Sequence, residues 1–203
     1  MAIHPGSLLP LPPAHPAPRE APARSPHFEL DALAGRLCEL SGGPLLSLLM
    51  PLLHSAQQRG QPTAWISATR SLFYPPDVAA WGIDLSALAI VRVADALQAA
   101  RALDHLLRCG AFGLLIADLG VRVQWPLPMQ SRLVGLLHRH RTALICLTDG
   151  RSNLGSLVSL RVRAQLQRQS DGLFRCELQA LKDKRNGALW QHTEVCCGPE
   201  GLV

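Results

Sequence analysis

The sequence predicts an α/β fold, a mostly parallel twisted sheet flanked by helices that ends in an antiparallel hairpin. Two patterns carry this expectation. Between residues 36 and 148, short continuous apolar runs alternate with longer amphipathic segments, as in parallel strands buried by helices on both faces. From Val158 the pattern becomes strict apolar/polar alternation, as in strands half open to water. The size agrees: 203 residues, 48% hydrophobic and 17% charged, suit one domain with a tail.

Taken in order, the chain first shows eight of its sixteen prolines within residues 1–26. Such a stretch sustains neither a helix nor a sheet interior, so it is expected to be a disordered arm. Its start lacks the charge, and its middle the unbroken apolar run, of a secretion signal. No segment approaches the roughly 20 apolar residues of a spanning helix, so a cytoplasmic protein is expected. The folded domain should cover residues 27–195, leaving a short tail at 196–203. Arg36 to Leu40 reads as a strand, SGGP as a turn, and Leu45 to Gln58 as a helix opened by Pro44 and closed before Gly60. Ala64 to Ser67 is a second strand; after a Tyr74-Pro75-Pro76 turn, Val78 to Trp81 is a brief helix. Leu88 to Val93 is a strand rich in branched residues. Asp95 should cap a helix running to Cys109, with Ala96, Leu97, Ala100, Leu103 and Leu107 on its buried face. Gly113 to Asp118 is a strand, and a helix around Gln130 to His140 precedes a further strand at Arg141 to Thr148.

In the last third, Val158, Leu160, Val162, Ala164 and Leu166 alternate with polar residues, and Phe174, Cys176, Leu178 and Ala180 do the same. Parity fixes how they pair. A two-residue Asp171-Gly172 turn would set Leu166 opposite Glu177 and mix the faces. A three-residue loop of Ser170, Asp171 and Gly172 instead pairs Leu166 with Cys176 and Ala164 with Leu178.

The residues exclude several chemistries. Six cysteines form no Cys-x-x-Cys pair and read as free thiols. The eight histidines supply no zinc motif, and His138 and His140 face differently on a helix. Neither a metal nor a cofactor is expected. No Gly-x-Ser-x-Gly elbow is present, and no serine or histidine sits in triad-like context. Charge is uneven: Arg132 to Arg185 holds eleven Lys/Arg against four acids, a net of +7 in a chain of +5. A basic half of this kind suits a nucleic acid, an acidic protein surface, or simply a solvated face.

The strand, glycine turn and helix over Leu40 to Gln58 stand where a phosphate-binding loop would lie. Counted from Gly42, that loop needs glycine, lysine and a hydroxyl at 47, 48 and 49; here stand Ser47, Leu48 and Leu49. Counting from Gly43 gives Leu48, Leu49 and Met50. Neither register supplies a cation for phosphates or a hydroxyl for magnesium, and the leucines should bury into a core. Asp118, at a strand end where a magnesium-organising carboxylate would follow, reads instead as an Asp capping a turn at Gly120.

The order of elements and several strings resemble the core of the RecA family, and more closely ImuA, the truncated RecA-like family of bacterial mutagenesis cassettes. They span about Leu37 to Gln191: CELSGGPLLSLL, AWISATRSLFYPPDVAAWGIDLSALAIV, GAFGLLIADL, and LVSLRVRAQLQR followed by LQALKDKRNG. The resemblance implies a RecA-like core. It also places the loop lysine at Leu48, the hydroxyl at Leu49, the catalytic glutamate at Thr69 and the phosphate-sensing glutamine near Asp149. All four differ from the family pattern, and the two DNA-binding loops, at Gly120 to Met129 and Asp149 to Ser156, are short. Lys182 and Lys184, the only lysines in the chain, resemble the pair that reaches a neighbouring protomer's nucleotide in a filament, with Arg185 beside them. The resemblance implies a non-catalytic accessory protein of DNA damage tolerance (translesion synthesis, induced mutagenesis) that contacts RecA, ImuB and an error-prone C-family DNA polymerase. Weak DNA contact would come from Arg161, Arg163 and Arg175. The alternative is a cell-division inhibitor similar to SulA, binding FtsZ. The residue pattern at Gly42, Gly43, Ser47, Leu48 and Leu49 predicts that an ATP titration shows no saturable binding at micromolar concentration; saturation would overturn it.

Overall fold

A computed structural model describes residues 25–43, 45–68, 73–120, 123–151, 154–169, 173–187 and 189–197. Its centre is one eight-stranded sheet in the order β3-β2-β4-β5-β1-β6-β7-β8. The strands are β1 (Leu37–Gly42), β2 (Thr63–Ala68), β3 (Leu88–Val93), β4 (Leu114–Gly120), β5 (Ala143–Thr148), β6 (Leu160–Arg168), β7 (Leu173–Asp183) and β8 (Gln191–Cys197). β1 to β6 run parallel; β7 is antiparallel to β6 and to β8. The helices are α1 (Leu30–Leu33), α2 (Leu45–Gln58), α3 (Pro75–Ala80), α4 (Ala96–Cys109) and α5 (Leu127–His140). No described helix is long and apolar enough to cross a membrane.

Two apolar clusters, one per face, follow from the alternation of side chains along buried strands. On the first face α1, α2 and α3 pack over Cys38, Leu40, Trp65, Ile116 and Ile145. On the second, α4 and α5 pack over Leu37, Ile66, Leu115 and Leu144. The placement obeys the right-handed crossover rule. From β1 the chain moves toward the β3 edge through α2 and α3, then returns toward β1 through α4 and α5, so the two pairs of helices must lie on opposite faces.

Several expected elements are reproduced. The helix Leu45–Gln58 and the strand Leu88–Val93 have the expected bounds, and Asp95 caps α4 through the Gln98 amide at 2.8 Å. The hairpin register sets Leu166 opposite Cys176 and Ala164 opposite Leu178. Its loop residues, Ser170 to Gly172, lie outside the described residues, as do Pro44, most of the proline-rich arm and residues 198–203 of the tail.

Other bounds need correction. β1 starts at Leu37 and continues through Ser41 and Gly42, because both pair with β6. The two prolines at 75 and 76 open α3 rather than making a turn before it, since a fixed φ and a missing N–H suit a first helical turn. Pro126 likewise caps α5, which begins at Leu127. β4 runs past Asp118 to Gly120 through a bulge. Arg141 ends α5 with φ 56°, so β5 starts at Ala143. β6 begins at Leu160, and Val158 is buried in the second cluster instead. Leu97 is exposed, and Ala99 takes its place on the buried face of α4. A 3-10 turn at Pro26–Phe28 and helix α1 seal the first face. The tail boundary at 195 also moves: β8 pairs through Cys196 and Cys197.

Gly42 shows why the turn after β1 carries glycines. Its φ is +97°, and a Cβ there would run into the carbonyl oxygen of Ala164 on β6. Gly42→Ala is therefore expected to lower the unfolding free energy by about 2 kcal/mol or more, measured by urea denaturation; an unchanged midpoint would show that β6 yields freely.

Candidate functional site

The carboxyl ends of β1, β2, β4 and β5 bring together the sequence-predicted phosphate-loop residues. Such an edge, where helices leave toward opposite faces, is where open α/β sheets form their ligand crevices. Gly42 and Gly43 are exposed there, but the Gly43 N–H donates to Ala164 O at 2.9 Å and the Leu45 N–H to Gly43 O at 2.7 Å. Those two amides are occupied within the protein. Ser47 is half-buried, Leu49 is fully buried and Leu48 nearly so, both within the first apolar cluster. Asp118 is buried at 2% exposure, on the first face and opposite Ser67 of β2. Thr69 lies outside the described residues. Asp149 is exposed and accepts a hydrogen bond from the Arg151 amide at 3.0 Å.

On the second face of the same edge lies a polar group that sequence reasoning missed. Glu39, only 2% exposed in the middle of β1, accepts from Arg161 Nε at 2.7 Å and from Thr148 Oγ1 at 3.2 Å. A carboxyl group inside a parallel strand needs such partners to offset its burial. Arg161 also donates to Gly155 O at 3.3 Å. Arg161 is therefore held by Glu39, whereas Arg163 and Arg175, its companions in the expected DNA contact, are exposed on the hairpin.

The lysine edge is built around a second buried charge. Asp183, with a fully buried side chain, meets Arg36 Nη2 at 2.6 Å and accepts from Trp190 Nε1, Asn186 Nδ2 and the Arg185 and Asn186 amides. Arg36 in turn donates to the side chain and carbonyl of Ser159. This network places the two lysines differently. Lys182 donates to Ser156 O at 2.9 Å, and its ammonium pKa is lowered by partial burial and by the neighbouring Lys184 and Arg161. Lys184 is exposed. Arg185 grips the carbonyls of Ala32 and Ala34 at 2.8 and 3.1 Å, closing the end of α1.

The thiols of Cys38 and Cys146 are free and buried, and that of Cys109 is free and exposed. Burial pushes the Cys38 thiol up to about 12 and that of Cys146 well above its ordinary value, which removes them as nucleophiles. Among the described residues no group of three or more His, Cys, Asp and Glu could hold a metal ion. Compared with protein-family models and with curated proteins, the chain matches none.

Asp183 also sets the acid sensitivity. Burial alone would raise its pKa, but the hydrogen bonds from Trp190, Arg36, Asn186 and the Arg185 amide more than reverse this and hold the carboxyl well below the usual range. The unfolded chain therefore takes up the proton first. The ion contributes stability above about pH 4, and this is lost as pH falls below that value toward the folded pKa. Asp183→Asn is expected to cost about 3 kcal/mol at neutral pH and to flatten the loss of stability on acidification. Thermal melts from pH 7 to pH 3 check both; an undiminished acid slope in the variant would assign it to other carboxylates.

Proposed function

We propose that the chain is a non-catalytic, RecA-like accessory protein of DNA damage tolerance, similar to ImuA, acting in the cytoplasm through protein contacts with RecA, ImuB and an error-prone C-family polymerase. The observation that carries this reading is the glycine turn after the central strand β1. It sits in the sheet where the RecA resemblance puts a phosphate loop, yet Leu48 and Leu49 are packed in the core and the Gly43 amide is bonded to β6. A nucleotide's phosphates require a cation and free donors, whereas this turn carries no lysine and its Gly43 and Leu45 amides are already bonded.

Without nucleotide chemistry, the function rests on surfaces. The lysine edge follows β7 at the foot of the hairpin, and Lys184 is its freely presented cation, since Lys182 bonds to Ser156 and Arg185 to α1. In this reading that edge docks against an ATP-bound RecA protomer and caps or perturbs the filament. Capture assays with the purified protein test it, offering RecA with ATP and single-stranded DNA, ImuB, and FtsZ. RecA and ImuB are expected to be retained, with Lys184→Glu reducing RecA capture at least tenfold while leaving ImuB capture intact. Retention of FtsZ alone would replace this function with division control, and RecA capture indifferent to Lys184→Glu would remove the edge from the contact.

A further inference from the structure

The two faces of the sheet differ sharply in charge. On the first, the exposed acids Glu29, Asp31, Asp77 and Asp84 outnumber Arg59, Arg92 and Arg185. On the second, past the exposed Asp95 at its cap, α4 presents Arg101 and Arg108 and α5 presents Arg132 and Arg139, all exposed. Each pair is seven residues apart, so each helix carries two guanidinium groups about 10 Å apart along its axis. The helices lie side by side: Asp104 of α4 meets Arg108 at 3.0 Å and Arg132 of α5 at 2.6 Å, one acid shared by two arginines.

The hairpin adds to the same side. Val162, Ala164, Cys176 and Leu178 face the first cluster, so by alternation Arg163 and Arg175 project from the second face. They are exposed, with Glu177 the acid between them. α4 packs on β2, β3 and β4, and β7 lies four places beyond β4. At about 4.8 Å per strand, the basic surface extends roughly 20 Å across the sheet.

We propose that this second face binds the phosphate backbone of nucleic acid. The chemistry favours a polyphosphate over a protein partner. Protein interfaces are anchored by apolar and aromatic side chains, and among the described residues of α4 and α5 the only exposed large apolar side chains are Leu97 and Leu127, in the first turn of each helix. Arginine, with its planar fork, pairs with phosphate through two hydrogen bonds, and a duplex offers one negative charge per roughly 1.7 Å of axis. This contact goes beyond the protein-docking function proposed above and stands or falls independently of it.

Fluorescence anisotropy of a labelled random-sequence duplex and of one of its strands, titrated at several potassium chloride concentrations, tests the assignment. Binding is expected to weaken steeply with salt. Arg101→Ala with Arg139→Ala, and separately Arg163→Ala with Arg175→Ala, should each reduce the slope of log affinity against log salt by about two units. Arg101→Lys with Arg139→Lys should retain most of the slope, which separates lost charge from a damaged fold. Arg59→Ala with Arg92→Ala, on the opposite face, should change nothing. Slopes unchanged by both alanine pairs, an equal effect of the opposite-face pair, or capture of labelled polyglutamate without nucleic-acid binding would each overturn the proposal. RecA capture by the Arg101→Ala, Arg139→Ala variant reads the other function separately, because these arginines lie on α4 and α5 and Lys184 follows β7.

Discussion

The ion pair between Arg36 and Asp183 is the contact on which the extended sheet depends. Arg36 precedes β1 and Asp183 ends β7, 147 residues later, with side chains 1% and 0% exposed. Two charges out of water are tolerable only when their remaining hydrogen-bonding capacity is met. Here Ser159, Asn186, Trp190 and the amides after β7 meet it. The groups that satisfy the pair are therefore the entry to β6, the turn after β7 and the approach to β8. The parallel core and its antiparallel extension are joined at one polar knot, and its geometry sets the position of Lys184.

The second constraint lies between β1 and β6. Gly42 permits a backbone approach that any side chain would block, and Gly43 donates to Ala164. Glu39 and Arg161 tie the same two strands on the second face. The turn at this end of β1 is thus held against β6. Leu48 and Leu49 pack inward behind it. The turn braces the first strand of the hairpin.

Arg161 and Arg185 are engaged within the fold, whereas Lys184, Arg163 and Arg175 are exposed. The helical layer adds arginines that no single stretch of sequence brings together, since the α4 and α5 pairs are juxtaposed only by the crossover rule. The proposed docking edge at the foot of the hairpin and the proposed phosphate-binding face over α4, α5 and the hairpin rest on different residues. They can act together or separately.

Elements whose neighbours are local were legible in the sequence. The α4 cap at Asp95, the bounds of α2 and β3, and the hairpin register through Leu166 and Cys176 follow from periodicity, capping and parity, which act within a few residues or across one turn. Burial of Leu48 and Leu49 was legible for the same reason, being fixed by side-chain type. The sequence reading missed β8, α1 and the helical start at Pro75, whose residues fit several conformations until a neighbour selects one. It also missed the partners of Glu39, Asp183, Arg161 and Arg185. Those pairings span more than a hundred residues, and only the order of strands in the finished sheet decides which buried charges meet and which cations remain free.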